Sequence, residues 1–168
     1  MGAAPTTRII RPMHGLHLTA DLRDCPVNRA VMTEPEALRR ACVGAVHAAG
    51  LQPVGELFHR FVPAPGADEA APVGLTGVVL LAESHLAVHT WPEIAAVTLD
   101  VYVCNLGADN SERAHALLES LVDAFAPGSI ERHALERGRG RAERWAAPEP
   151  ARIPSGDRSM YPSTEGLP

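Results

Sequence analysis

Residues 83–104 read ESHLAVHTWPEIAAVTLDVYVC, and this stretch decides the fold. Polar and apolar residues alternate along most of it, which is the period of a β-strand with one buried face. The sequence therefore predicts two strands, Ser84–Thr90 and Ala96–Cys104, joined by the turn Trp91-Pro92-Glu93. Strands joined by so short a turn are antiparallel neighbours in one sheet.

Further strands and helices are predicted on both sides of this pair. A helix begins at the capping box Thr33-Glu34-Pro35-Glu36, carries apolar residues at helical spacing and stops at Gly50. A second helix is capped by Asn110 or Ser111 and carries one apolar stripe, made up of Ala114, Leu117, Leu118, Leu121, Val122 and Phe125. The other predicted strands are Gly15–Leu22, Val54–Val62, Leu75–Ala82 and Ser129–Leu135.

These elements predict an α+β fold with two layers. The order strand, helix, strand, strand is read once before residue 83 and once after it, which we interpret as a duplicated βαββ unit. The expected architecture is an antiparallel sheet with both helices on one face.

The chain is divided into three parts by its composition. Residues 1–14 are predicted to be a flexible leader, and residues 15–145 a single domain. Residues 146–168 are rich in Pro, Ser and Gly and predict a disordered tail. Inside the domain, Pro63–Pro72 forms an Ala/Pro/Asp-rich loop between two strands.

Charge and residue usage exclude several classes of function. The net charge is −5 and the isoelectric point about 5.9, so nucleic acid is not an expected partner. There is no lysine in the chain, which excludes a pyridoxal phosphate anchor, a lysine Schiff-base aldolase, a Walker A loop and a protein kinase.

Cysteine usage and hydropathy indicate the compartment. Cys25, Cys42 and Cys104 are far apart and odd in number, which fits a reducing cytosol without a disulfide framework. No apolar run approaches about 18 residues, the length that would predict a membrane span. A cytoplasmic protein is expected, with no membrane partner.

The densest polar cluster is Glu83–Glu93, and the residues alone leave three readings of it open. His85 and His89 would share a face of a strand but lie about 13 Å apart, too far to hold one zinc ion. Ser84 could be a nucleophile, although no G-x-S-x-G elbow surrounds it. Ser84 and His89 could also be the solvated face of an amphipathic strand. Cys104 alone reads as a small core residue.

Taken together, the motifs resemble those of the prokaryotic S-adenosylmethionine decarboxylases, which are self-processing pyruvoyl enzymes. The resemblance rests on the segments Glu83-Ser84-His85-Leu86, His89-Thr90-Trp91-Pro92-Glu93, Asp100 to Cys104, Gly15-Leu16-His17-Leu18 with Cys25, Phe58-His59-Arg60-Phe61, Thr76-Gly77-Val78-Val79 and Glu136-Arg137-Gly138. It implies a decarboxylase that converts S-adenosylmethionine into the aminopropyl donor of spermidine biosynthesis, with CO2 as the other product. It also implies a homodimer of cleaved protomers, which fits the open edges of a small sheet.

The resemblance also implies the chemistry of self-processing. Ser84 is the precursor of the pyruvoyl group, and cleavage after Glu83 gives chains of 83 and 85 residues. His89 removes the serine α-proton, and Thr76 stands where the family usually has a serine that helps cleavage. Cys104 returns a proton to the substrate α-carbon after CO2 leaves. The pyruvoyl ketone replaces pyridoxal phosphate as electron sink, which agrees with the absence of lysine. No metal site is implied.

The substrate site is implied in the same way. Phe61 is expected to stack on adenine, Trp91 to line the pocket, and Glu93 to accept the ribose hydroxyls. Three departures are that Leu16 replaces a common arginine, that the loop 63–72 is longer than usual and that the Pro-rich tail is extra. This leaves arginine or ornithine as alternative substrates, with Glu93, Asp68 or Glu69 facing their cationic end. The remaining alternative is a non-catalytic nucleoside-binding or regulatory homologue.

Overall fold

A computed structural model describes residues 14–63, 66 and 71–138. The predicted leader up to residue 13, most of the loop 63–72 with Asp68 and Glu69, and everything after residue 138 lie outside these residues. The predicted tail is therefore not described, and the domain limits 15–145 stay a prediction.

The described residues form six strands and three helices. In chain order they are β1 (Gly15–Arg23), α1 (Ala30–Thr33), α2 (Pro35–Ala48), β2 (Pro53–Arg60), β3 (Leu75–Leu81), β4 (Ser84–Trp91), β5 (Ala96–Cys104), α3 (Ser111–Phe125) and β6 (Ser129–Arg137), with a 3-10 turn at Pro92–Ile94 between β4 and β5. The strands form one antiparallel sheet in the order β2-β3-β4-β5-β1-β6. The predicted α+β class with an antiparallel sheet is confirmed.

One hydrophobic core lies between the helices and one face of the sheet. The helices contribute Met32 from α1, one stripe of α2 and one stripe of α3 that ends at the fully buried Phe125. The strands contribute every second residue, including Leu18, Leu86 and Leu99. Amphipathic helices on one face of an alternating sheet give the two-layer packing predicted from the sequence.

Two details of the prediction are wrong. The second half of the chain runs strand, strand, helix, strand, so it does not repeat the order of the first half, and no duplicated βαββ unit is present among the described residues. The capping box is also not formed, because Thr33 ends α1 and Glu34 is the residue that precedes α2, with no side-chain cap. Pro35 explains this, since the residue before a proline is pushed out of the helical region; Glu34 has φ −107° and ψ 113°.

The other face of the sheet is called the bare face here, because no described helix packs on it. Its residues alternate with those of the core and include His17, Thr76, His85, His89, Asp100, Tyr102, Leu57, Leu80 and Leu135. The last three are 68%, 50% and 59% exposed. The bare face therefore combines exposed leucines with most of the chain's strand-borne histidines.

Candidate active site

Ser84 begins β4 directly after a tight hairpin. Ala82 and Glu83 join β3 to β4, and Leu81 pairs with Ser84 across the turn. Glu83 has φ 63°, in the left-handed region that is unfavourable for a residue with a side chain. The cost is about 1–2 kcal/mol, and strain of this kind accumulates at functional sites. The peptide bond between Glu83 and Ser84 thus lies at a strained turn.

The Ser84 hydroxyl is held by the end of β5. The Cys104 backbone N–H donates to Ser84 Oγ at 3.0 Å. The Cys104 carbonyl in turn accepts from Asn110 Nδ2 at 3.0 Å, and the Asn110 N–H donates to Asn105 Oδ1 at 2.8 Å. The loop before α3 therefore fixes the Cys104 backbone, whose N–H binds the serine hydroxyl. The structure thus brings Glu83, Ser84 and Cys104 together.

Thr76 and His89 form a second group on the bare face. They lie directly opposite each other in the β3–β4 register. His89 is five residues from Ser84 along β4, about 16 Å at the rise of an extended strand. An odd spacing also places the two side chains on opposite faces. The structure therefore does not bring His89 to the Ser84 of the same chain.

Phe61, Trp91 and Glu93 form a third group at the far end of β4. The rings of Phe61 and Trp91 are 5.5 Å apart between centroids and tilted by 33°. Glu93 lies in the turn that follows, and Trp91 lines an open groove of about 400 Å³ with Asp21, Ile94 and other residues. Trp91 is seven residues from Ser84, about 23 Å along the strand. This aromatic group is close to His89 and remote from Ser84.

A cluster of polar residues that sequence analysis did not assign lies between the two ends. Asp100 Oδ2 accepts from His17 Nε2 at 2.8 Å, and Asp100 Oδ1 is 3.4 Å from His85 Nε2. Within the described residues Oδ1 is buried and has no hydrogen bond of good geometry. Tyr102 lies opposite both histidines in the sheet. The alternation of polar residues along β5 indicated that Asp100 and Tyr102 share a face. Only the sheet order shows that His17 of β1 and His85 of β4 lie next to them.

An open cavity of about 550 Å³ adjoins Ser84. It is lined by Leu81, Glu83, Ser84, His85, Tyr102, Arg137 and Gly138. The Arg137 guanidinium carbon lies 5.3 Å from the centroid of the Tyr102 ring, a cation–π distance. The cavity thus has a hydroxyl, a carboxylate and a guanidinium on its wall, enough to orient a small zwitterionic molecule.

Two global features bear on the class of site. The described residues contain no group of three or more His, Cys, Asp or Glu side chains arranged to hold a metal ion. In the same part of the chain, none of the helices has the length and apolarity of a membrane span.

Comparison with known proteins supports the interpretation of these motifs. The profile of the family described as S-adenosylmethionine decarboxylase matches residues 16–138. This range contains all of the site residues discussed above and nearly all of the described sheet.

Individual relatives agree with the family match. An S-adenosylmethionine decarboxylase proenzyme from Persephonella marina is 35% identical over 124 residues, 74% of this chain and 82% of the relative. One from Aquifex aeolicus is 34% identical over 124 residues, 74% and 81% of the two chains. The crystal structure of the adenosylmethionine decarboxylase from Aquifex aeolicus superposes with a TM-score of 0.65 and 32% identity, covering 79% of this chain and 98% of that one.

Proposed function

The chain belongs to the S-adenosylmethionine decarboxylase family, and we propose that Ser84 is the residue at which it cleaves itself and then binds its substrate. The chain is an enzyme that decarboxylates S-adenosylmethionine, and it is made as a proenzyme. The arginine, ornithine and non-catalytic alternatives find no support among these relatives. Supply of an aminopropyl donor for polyamine synthesis fits this family.

The observation that carries the assignment is the contact between Ser84 and Cys104. Ser84 Oγ accepts a hydrogen bond from the Cys104 N–H. The residue before Ser84, Glu83, has a strained backbone. Attack of this hydroxyl on the Glu83 carbonyl exchanges the peptide C–N bond for an ester C–O bond and relieves the turn. Loss of the Ser84 α-proton then expels Glu83 as a carboxylate, and addition of water with release of ammonia leaves a ketone at residue 84.

The pyruvoyl group so formed supplies an electron sink for the substrate amine, the chemistry that pyridoxal phosphate supplies elsewhere. The residues fit this group, because the hydroxyl precursor is held in place and the chain has no lysine to anchor pyridoxal phosphate. Cys104 lies at the same end of the sheet, where its thiol can protonate the substrate α-carbon. Residue 84 opens directly to the cavity that would receive the substrate.

Base catalysis at Ser84 requires a second copy of the chain. A base has to come within about 3.2 Å of the proton that it removes. The chain's own His89 is about 16 Å away along β4. Ser84 begins β4 and lines a cavity together with the bare-face residues His85 and Tyr102, so this end of the strand is open towards the bare face. His89 of the partner subunit, with Thr76 beside it, can therefore reach Ser84 if two bare faces pack against each other about a two-fold axis.

The same assembly would also bring the expected substrate-binding residues to residue 84. Phe61, Trp91 and Glu93 of the partner subunit would then lie near residue 84, so that the adenine stacks on aromatic rings and the ribose hydroxyls meet a carboxylate. Within one chain, the substrate would have to span about 23 Å to use both ends of β4. The exposed leucines of the bare face supply apolar area for such a homodimer. We place this dimer in the cytoplasm.

Intact mass spectrometry and CO2 release test this proposal. The wild-type chain should separate into two fragments at Glu83–Ser84, and release CO2 from carboxyl-labelled S-adenosylmethionine. Ser84→Ala should remain one chain and be inactive, while Ser129→Ala at the exposed start of β6 should behave like the wild type. A wild-type chain that stays intact while it releases CO2 would contradict the role of Ser84.

A further inference from the structure

The structure points to Arg137 as the residue that binds the α-carboxylate of the substrate. This inference rests on the proposed function, because it takes residue 84 as the point at which the substrate amine is held. Arg137 would make the enzyme prefer an amino acid to the corresponding amine, and so would distinguish the substrate from its own decarboxylated product.

The first support is the position of Arg137 in the cavity beside Ser84. An α-amino acid carries its amine and its carboxylate on the same carbon, so a substrate held at residue 84 places its carboxylate within this cavity. Arg137 is the one arginine that lines the cavity among the described residues, while the Glu83 carboxylate in the same wall repels an anion. A guanidinium can bind a carboxylate through two parallel hydrogen bonds.

The second support is the way in which Arg137 is held. Its guanidinium lies over the Tyr102 ring, which restricts an otherwise exposed side chain. The Tyr102 ring lies against Gly15, which pairs with Cys104 on one side and with Arg137 on the other. A Cβ at Gly15 would be 2.6 Å from Tyr102 Cε2 and 2.6 Å from its hydroxyl oxygen. The absence of a side chain at Gly15 therefore allows Tyr102 to support Arg137.

The chemistry of decarboxylation predicts how the loss of Arg137 appears in the kinetics. The carboxylate has its full charge in the bound substrate and loses it as CO2 departs. An ion pair with this carboxylate therefore stabilises the bound substrate at least as much as the transition state. Removing the pair should raise KM and leave kcat unchanged or slightly higher.

The experiment compares Arg137→Gln with Arg132→Gln in processed enzyme. Arg132 lies on the same strand but binds Glu119 of α3 on the helix side of the sheet, which makes it a matched control. In Arg137→Gln, KM for S-adenosylmethionine should rise about 10- to 100-fold, the range of a hydrogen bond to a charged group. The inhibition constant of decarboxylated S-adenosylmethionine should stay within about 2-fold.

Two further variants test the paired hydrogen bonds of Arg137 and its support by Tyr102. Arg137→Lys keeps the charge but loses the paired hydrogen bonds, so it should recover part of the affinity. Gly15→Ala should displace Tyr102 and raise KM in the same direction. The rate of self-cleavage, followed by mass spectrometry, should be unchanged in Arg137→Gln, because the carboxylate belongs to the substrate.

The outcomes distinguish this inference from the proposed function. If the wild type neither cleaves nor releases CO2, the proposed function is wrong. If the wild type is active and Arg137→Gln leaves KM unchanged, the carboxylate assignment alone is wrong. An equal rise in KM and in the inhibition constant of decarboxylated S-adenosylmethionine would also overturn the carboxylate assignment. Arg137 would then support the cavity or the new Glu83 terminus and would not bind the substrate carboxylate. Slow self-cleavage in both Arg137 variants would likewise assign the residue to the fold.

Discussion

Complementation between two inactive chains is the sharpest consequence of the geometry of β4. Ser84→Ala cannot form the ketone but keeps His89, whereas His89→Ala keeps Ser84 but lacks the base. If each site takes Ser84 from one chain and His89 from the other, a mixed dimer contains one complete site. Random pairing of equal amounts makes half of the dimers mixed, so about half of the His89→Ala chains should be cleaved.

The assay is refolding or co-expression of the two variants, followed by intact mass spectrometry. Each variant alone should remain uncleaved, and the mixture should yield two fragments that derive only from the His89→Ala chain. CO2 release should reach about a quarter of the wild-type value per chain, because half of the dimers carry one site of two. His115→Ala, which changes an exposed histidine of α3 on the helix side of the sheet, serves as the control and should cleave fully on its own.

Two results would refute this reasoning. Efficient cleavage of His89→Ala alone would show that this histidine is not the base. Absence of cleavage in a mixture shown by mass to contain mixed dimers would mean that Ser84 and His89 act within one chain, so that β4 has to rearrange from the conformation described here.

Three predictions concern the fold. Phe125→Ala, at a fully buried position, should lower the free energy of unfolding by about 3–5 kcal/mol in urea titration, and a loss below about 1 kcal/mol would contradict its central place in the core. Thr90→Val should cost about 1–3 kcal/mol in the same assay, because buried Oγ1 accepts from Leu75 N–H and donates to the Met32 carbonyl; no loss would mean that these groups find other partners. Burial raises the pKa of the Cys42 thiol from 9.0 to about 12, so the neutral thiol stabilises the folded chain below pH 9 and this contribution is lost as pH rises towards 12. The free energy of unfolding should therefore fall more steeply over this range in the wild type than in Cys42→Ala, and parallel pH profiles would contradict it.

Much of the fold could be predicted because the pattern of the sequence is local. Alternation gave β1, β4 and β5 to within one residue of their observed ends, and the apolar stripe of α3 appears unchanged in the core. The errors arose where neighbouring residues compete. Thr33 and Glu36 match a capping box, but Pro35 between them forces Glu34 out of the helical region and makes it the residue before α2.

The candidate site was less predictable, because its residues meet through sheet order. β1 lies between β5 and β6, so Gly15, Tyr102 and Arg137 become neighbours although they are far apart in the chain. No periodicity in a single strand contains this information. The contact of Ser84 with Cys104 likewise depends on the register of β4 and β5, and the motif residues alone could not indicate it.

The compact appearance of the central motif in sequence is therefore misleading about its geometry. Residues 84–93 would form one small cluster in a helix or a loop, but in an extended strand they span most of the sheet and alternate between its faces. Such a motif can build a compact site only if another strand end is brought to each of its own ends. In the proposed dimer, a two-fold axis that lies between the two bare faces and runs across the strands would do this twice with a single interface, since the serine end of each β4 would then meet the histidine end of the other. The spacing from Ser84 to His89, which looked like a feature of one chain, is in this reading set by the pairing of two.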